Sequence, residues 1–378
     1  MMTGEARHAG DRPTISVVMA NYNGAPYLPQ ALDSVLSQTM GDLEVIVCDD
    51  ASTDDSAAVV RACRKRDGRV QLIEAHENAG PAAARNRALD AARGEWVAIV
   101  DSDDILHPER FERLLAASGL YRADAVADDL LHFASDGSMP ASLLLHGEAF
   151  TRPFRLTAEL FVRGDIEGNH VPNFGYLKPV IRAAAIGTLR YDETLRIGED
   201  YDFLLRLLLR GLRLHVLPEP TYLYRRHGGS ISHRLSVETV ADMIDGQKRL
   251  QADHAGLTPS LEQALAVRMA GLRRSLSYER LVRAIKHRRP GPAAWMIARD
   301  PALSLSLLRS IGDRLARNAQ RREQDAEPAP GDAVRTVLLT DDRDAAANSE
   351  AAIAVPAYRP PGEPGWSGPA ERALWQRL

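Results

Sequence analysis

Asp101, Asp103 and Asp104 put three carboxylates into four positions around Ser102, directly after the apolar run Ala98-Ile99-Val100. An apolar run that stops abruptly at a polar cluster is the pattern of a buried strand passing into a loop. In open α/β sheets, ligands bind at the carboxyl ends of the strands. Like charges this close repel one another, so the cluster persists most easily around a cation, and carboxylate oxygens favour Mg²⁺ or Mn²⁺. A solvated acidic turn is the competing explanation, and these four residues alone do not separate the two.

The elements that must position the cluster follow from apolar patterning. Short apolar runs at 15–20, 43–48, 70–74 and 96–100 read as strands, and they alternate with helical patterns at 27–38, 55–66 and 82–92. Such alternation predicts an α/β fold, Rossmann-like, with a mostly parallel central sheet and helices on both faces. The pattern loosens after Ala123. A short strand is expected at 125–127, polar and glycine-rich breaks from His132 to Pro172, a helix from Asp200 through Leu209, and a strand at 214–217 that stops before Pro218. Beyond Val237 the chain reads as a helical C-terminal extension, and it is basic: Arg268, Arg273, Arg274, Arg280, Arg283, Lys286, His287, Arg288 and Arg289. A solvated helical surface and a helix lying on an anionic membrane face both fit that composition. The expected organisation is a flexible N-terminus at 1–12, a main domain at 13–235, a helical region at 236–320, and a linker with a largely irregular tail at 321–378. Within the tail, 321–332 is charged and proline-containing, 334–339 is a short apolar run, and 356–369 is rich in proline and glycine.

Bulk properties remove several classes. A formal charge of −4 over 378 residues makes no global case for nucleic acid. Cys48 and Cys63 give neither a disulfide framework nor metal-ligand spacing. No signal peptide is visible in the polar first residues, and no apolar stretch is long enough for a membrane span. The expected location is cytoplasmic, with attachment to a membrane surface left open.

Four strand ends carry polar residues that converge in such a fold: Ala20-Asn21-Tyr22-Asn23, Asp49-Asp50, Asn78-Ala79-Gly80 and Asp101-Ser102-Asp103-Asp104. With Gly80-Pro81-Ala82-Ala83-Ala84-Arg85-Asn86, Gly198-Glu199-Asp200-Tyr201-Asp202 and Tyr224-Arg225-Arg226-His227-Gly228-Gly229-Ser230, they resemble in order and spacing the family 2 glycosyltransferases of the GT-A fold. The nearest likeness is to bacterial enzymes of exopolysaccharide and cell-surface glycan assembly. The resemblance covers residues 13–235.

It implies an inverting enzyme that moves a sugar from a nucleotide-diphosphate sugar, most simply a UDP-sugar, to a hydroxyl of a glycan or lipid-linked saccharide. Ala20, Tyr22, Asp50, Arg85, Asp101 and Ser102 would hold the donor. The Tyr22 ring would cover the base, where a planar aromatic supplies apolar contact at low entropy cost. Asp50 would accept the base N–H, with Asp49 as its competitor. Arg85 would lie near the nucleotide, or else serve a scaffold ion pair. Asp101 and Asp103, with His227, would hold a divalent cation, Mn²⁺ or Mg²⁺, that neutralises charge on the leaving diphosphate. Asp101 is open to a ribose or sugar contact instead. Asp200 would be the general base with Glu199 in support, the alternative being a helix cap. Arg225 and Arg226 are phosphate-side candidates, and Asn173 and Lys178 acceptor-cleft candidates.

Two other readings compete. A sugar nucleotidyltransferase needs a glycine-rich basic loop after the first strand, which this chain lacks, and a non-catalytic nucleotide-sugar or glycan binder would carry a damaged acidic motif or base segment. The turn Asn21-Tyr22-Asn23-Gly24 is not the three-glycine turn of a dehydrogenase.

Overall fold

The computed structural model describes residues 12–134, 141–166, 168–227, 235–305, 307–308, 337–339 and 353–355. Of these, the residues within 1–230 and 337–378 form one compact unit and those within 231–336 a second. The expectations for 1–11, for the linker at 321–332, for 356–369 and for Gly228 to Ser230 lie outside the described residues.

The first unit runs β1 (Ile15–Asn21), α1 (Leu28–Leu36), β2 (Leu43–Asp49), α2 (Ser56–Arg66), β3 (Val70–Glu74), α3 (Pro81–Ala91), β4 (Trp96–Ile99) and β5 (Ile105–Leu106). It continues through α4 (Arg110–Tyr121), β6 (Ala125–Phe133), β7 (Ser142–Leu143), β8 (Phe154–Leu156), α5 (Ala158–Gly164), β9 (Val180–Arg182), α6 (Ala183–Ile186), α7 (Glu199–Leu209) and β10 (Leu214–Arg225). One sheet has the order β3-β2-β1-β4-β9-β6-β10-β5, with β7 on β6 and β8 on β10. Strands β1 to β4 pair in parallel, as do β6 and β10, whereas β9 runs antiparallel to both β4 and β6. The mostly parallel α/β sheet expected from the sequence is therefore present, with β9 reversed inside it and the short strands β5, β7 and β8 antiparallel to their neighbours. The β-branched and apolar residues of β1 and β2 are buried almost without exception, as strands covered on both faces require.

Two strands differ from expectation. β6 spans nine residues and every one is buried, including Asp128 and Asp129, whereas the sequence suggested a strand of three. Each carboxylate is satisfied by a distant partner. Arg110 donates twice to Asp128, at 2.7 and 2.8 Å, and the Leu145 N–H donates to Asp129 at 2.9 Å. β10 runs past Pro218 and Pro220 to Arg225, with register shifts where those prolines withhold ladder donors. That extension carries Tyr222, Arg225 and the residues beyond it to the acidic loop.

Burial pushes the Asp129 carboxyl up to about 7, against the opposing Leu145 and Leu130 N–H groups. An acid whose folded pKa lies above its unfolded value of about 3.9 holds its proton more tightly when folded. Its contribution to stability is full below the unfolded value and falls as pH rises through 7. Asp129→Asn keeps an acceptor oxygen and removes the charge. We expect it to raise Tm by several degrees at pH 8 and by clearly less at pH 5, by scanning calorimetry. A difference independent of pH would refute this assignment.

The second unit holds α8 (Val237–Asp253), α9 (Pro259–Lys286) and α10 (Pro290–Arg299). Ser236 and Thr239 form a reciprocal capping box at the start of α8. Val240, Ile244 and Met269 join α8 to α9, and Leu281, Ala293 and Leu303 join the end of α9 to α10. Arg268, counted above with the basic surface, is instead buried and donates to Gln247 at 2.7 Å. In the tail, β11 (Val337–Leu339) pairs in parallel with β12 (Ile353–Val355), where the sequence suggested irregular chain. Among the described residues, no helix is long and apolar enough to cross a membrane.

Candidate active site

Parallel register brings the ends of β1 and β2 side by side, with Asn21 opposite Asp49. The Asn21 amide donates to Asp49 at 2.7 Å, and Ser52 donates to the same carboxylate from its hydroxyl at 2.6 Å and its N–H at 3.0 Å. The turn after β1 is tight. A Cβ at Gly24 would lie 2.2 Å from Asn21 Oδ1 and 3.3 Å from Ser102 Oγ, so only glycine lets this turn approach the acidic loop. Tyr22 stands out from the turn with 46% of its surface exposed, while Ala20 is the one half-open residue of β1. Asp50 is buried and faces the other way: it accepts the N–H groups of Ala79 at 3.1 Å and Gly80 at 2.7 Å, with Arg87 at 3.4 Å. It thereby fixes the loop that enters α3 at Pro81. A carboxylate has roughly four acceptor positions, so Asp50 retains capacity for a further donor.

The three acidic residues after β4 are held in three different ways. Asp104 is buried. Its oxygens accept the Tyr222 hydroxyl and the Arg225 N–H, both at 2.7 Å, and the Tyr222 hydroxyl accepts the Asp101 N–H at 3.2 Å. Burial, then Asp103 and Asp101, push the Asp104 carboxyl well above the usual range. Asp103 is partly exposed and lies 2.9 Å from His227 Nε2, whose ring packs on Tyr27 at 4.5 Å between centroids. Arg225 is committed to the scaffold: its Nε donates to the Asp103 carbonyl and its guanidinium to Gln30, each at 2.7 Å.

Asp101 turns into a buried charged cluster. Lys178 Nζ lies 2.7 Å from Asp101 and 2.8 Å from Asp200, and Arg85 lies 2.8 Å from Asp101, 2.7 Å from Glu199 and 3.3 Å from Asp200. Two cations thus bridge three carboxylates drawn from β4's loop and the first turn of α7. Small residues of α3, Ala82, Ala83, Ala84 and Ala88, are buried and bring Arg85 inward. Gly198 begins α7 at φ 85°, a left-handed conformation that glycine adopts without steric cost. No side chain caps α7, so Asp200 is not the helix cap considered from sequence. Its carboxylate lies at the positive end of the helix dipole, facing Lys178.

Burial opposes charge at Asp101, Glu199, Arg85 and Lys178, and the ion pairs outweigh it at all of these but Glu199. Burial raises Asp101, but Lys178 and Arg85 hold it well below the ordinary carboxylate range. Burial works against Lys178 and Arg85, and the facing carboxylates hold both well above their usual values. Burial and the neighbouring Asp200 raise Glu199 despite its bond to Arg85.

The remaining predicted residues sit nearby in the chain but do different work. Asn173 accepts the Gly175 N–H at 2.9 Å and donates to Asp165 at 3.0 Å, shaping the turn that leads to Lys178. The Arg226 N–H donates to the Phe133 carbonyl at 2.7 Å, and its Nε is buried with no partner among the described residues. Several positioning residues carried no signal of their own in the sequence: Tyr222, Gln30, Tyr27 and Arg110. Arg110 is wholly buried, pairs with Asp128, and donates to the Lys178 carbonyl at 2.5 Å. Asn86, quoted above within a motif, exchanges hydrogen bonds of 2.8 and 3.0 Å with the Tyr191 backbone ahead of α7. Among the described residues, no group of three or more His, Cys, Asp or Glu side chains is arranged to hold a metal.

This sheet and its flanking helices have the architecture of the GT-A fold. Residues 16–183 match the family model for glycosyl transferase family 2. The chain is 35% identical over 314 residues to the succinoglycan biosynthesis protein ExoO of Rhizobium meliloti (strain 1021), covering 82% of this chain and 88% of that protein. It is 34% identical over 253 residues to ExoU of the same organism, covering 65% and 70%. Among solved structures, S. aureus TarS 1-349 in complex with UDP-GlcNAc aligns with a TM-score of 0.55 at 22% identity, over 67% of this chain and 70% of that one, a likeness of fold. The chain belongs to glycosyltransferase family 2 and is related to the bacterial glycosyltransferases of exopolysaccharide and cell-wall glycan assembly. Its reaction is transfer of a sugar from a nucleoside-diphosphate sugar to a glycan acceptor.

Proposed function

We propose that transfer proceeds by a single inverting displacement with Asp200 as general base, from a UDP-sugar to a hydroxyl of a growing or lipid-linked polysaccharide. The observation that carries this reading is the cluster in which one ammonium, Lys178, contacts both Asp101 on the donor side and Asp200 at the start of α7. The acceptor oxygen bonds to the anomeric carbon as the bond to the diphosphate breaks, and the acceptor proton passes to Asp200. A carboxylate within hydrogen-bond reach of the acceptor suffices for that step. Lys178 and Arg85 orient Asp200, and Glu199 holds Arg85. Tyr22 is exposed at the strand end, where it can cover a uracil ring, and Asp50 has acceptor capacity left for the base N–H. The relatives named for succinoglycan biosynthesis support an acceptor in polysaccharide assembly.

Asp103 and His227 fit a divalent cation: an oxygen and a nitrogen donor, both partly exposed, meet at 2.9 Å. Mg²⁺ and similar ions commonly take one or two protein carboxylates and complete their shell from substrate phosphates and water, so a three-residue cage is not required. When bound, Mn²⁺ or Mg²⁺ would neutralise the leaving diphosphate. Asp101, committed to Lys178 and Arg85, is assigned to the donor side of the cluster and not to the ion.

The test is calorimetric titration with a panel of nucleotide sugars with and without Mn²⁺, paired with an assay for released nucleoside diphosphate. For Asp103→Asn we expect the Mn²⁺-dependent part of donor affinity to fall about tenfold to a hundredfold, on the scale of a metal-site loss, with Tm unchanged. Donor binding with unaltered Mn²⁺ dependence would remove Asp103 from the ion site.

A further inference from the structure

We propose that the end of α9, the turn at 287–289 and α10 form a docking surface for an anionic lipid bilayer. Residues 273–299 hold eight lysines and arginines against one carboxylate, Glu279, in a chain whose net charge is −4. Arg273, Arg274, Arg280, Lys286, Arg288 and Arg289 are exposed. Arg283 pairs with Glu238, whereas among the described residues no ion pair engages Arg280, Arg288 or Arg289. Placement at the negative end of the α9 dipole accounts for Arg283 and Lys286. It does not account for the arginines beyond the helix end.

The apolar residues of this segment divide into two sets. Leu281, Ala293 and Leu303 are buried together, with Met296 and Ile297 packed against them, so the inward faces are already satisfied. Trp295, Leu305 and Leu308 remain 60–64% exposed, and Ile285 44%. Arg299 lies over the Trp295 ring, 5.3 Å from its centroid, so charge and aromatic surface share one patch. Surplus positive charge in one segment with outward tryptophan and leucine, and Arg299 on the tryptophan ring, matches the boundary between phosphate headgroups and acyl chains. A soluble polyanion would neutralise the arginines but leave Trp295, Leu305 and Leu308 in water. The apolar members therefore single out lipid.

The experiment is cosedimentation of the full chain with phosphatidylcholine vesicles, with and without phosphatidylglycerol, at low and high salt. We expect capture by the anionic vesicles alone, weakened by salt. Replacing Lys286, Arg288 and Arg289 together by Gln should reduce partitioning about a hundredfold. Trp295→Ser should weaken it as well and remove the blue shift of tryptophan fluorescence on binding. None of these residues lies in the catalytic cluster, so release of nucleoside diphosphate serves as the folding control. The proposal is overturned by absent capture, by equal capture on both lipids, or by capture that neither variant changes. Tight binding of a polyphosphate probe that ignores Trp295→Ser, without vesicle capture, would reassign the patch to a soluble polyanion.

Discussion

Asp200→Asn lowers kcat by about 10²–10⁴-fold, the range general base catalysis contributes, and leaves donor affinity unchanged. The substitution separates two roles of the side chain. Asn keeps the shape and one acceptor oxygen, so Lys178 Nζ, now 2.8 Å from the carboxylate, retains a partner. Arg85 retains Glu199 and Asp101. What Asn lacks is an oxygen able to take the acceptor's proton. Steady-state release of nucleoside diphosphate in the presence of acceptor, beside equilibrium titration of donor, reads the two effects independently. Full activity in the variant would end the base assignment. Donor affinity falling as steeply as the rate would show that Asp200 acts by holding Lys178 and Arg85, and the base would have to be sought elsewhere.

The second large effect is structural and reaches the site through one backbone carbonyl. Arg110→Ala leaves the Asp128 carboxylate buried without its guanidinium, and the loss of one partner from a buried pair costs about 3–5 kcal/mol. Both side chains are essentially without solvent exposure, so water does not compensate. The Thr221 hydroxyl also donates to Asp128 and remains, which places the expected value toward the lower end. Urea denaturation should show the midpoint falling with little change in slope. A loss under about 1 kcal/mol would mean that Asp128 is protonated or hydrated in the variant. Replacing both members, Arg110→Leu with Asp128→Leu, should recover much of the stability, because no unpaired charge remains. It does not restore the bond from Arg110 to the Lys178 carbonyl. A double variant that is stable yet slow in transfer, with donor affinity retained, would identify Arg110 as a residue that positions Lys178. A double variant of full activity would confine Arg110 to stability.

The division between what the chain spells out and what the fold decides runs along the range of the interactions. β1 to β4 and the helices between them are local apolar patterns, and the sequence alone places them because each strand's burial is written in its own residues. The Asp101-Ser102-Asp103-Asp104 cluster and the turn that holds Tyr22 are likewise legible as polar strand ends, since each closes such a pattern, whereas the exposure of Tyr22 is decided by the fold. Family resemblance adds the order in which these segments recur. The fate of each charge was not legible. Asp128 and Asp129 look like a strand end, yet they lie inside β6 because Arg110 and the Leu145 N–H meet them there. Arg225 reads as a phosphate ligand, but it binds Gln30, 195 positions away, and the Asp103 carbonyl. Lys178 reads as an acceptor-cleft candidate, but β9, reversed between β4 and β6, brings the segment before it into the cluster with Asp101 and Asp200. A buried charge is tolerated only where its partner is held opposite it. The sequence by itself therefore determined which carboxylates and cations are available, and tertiary structure decided how they pair, because each of these pairings joins side chains on separate elements.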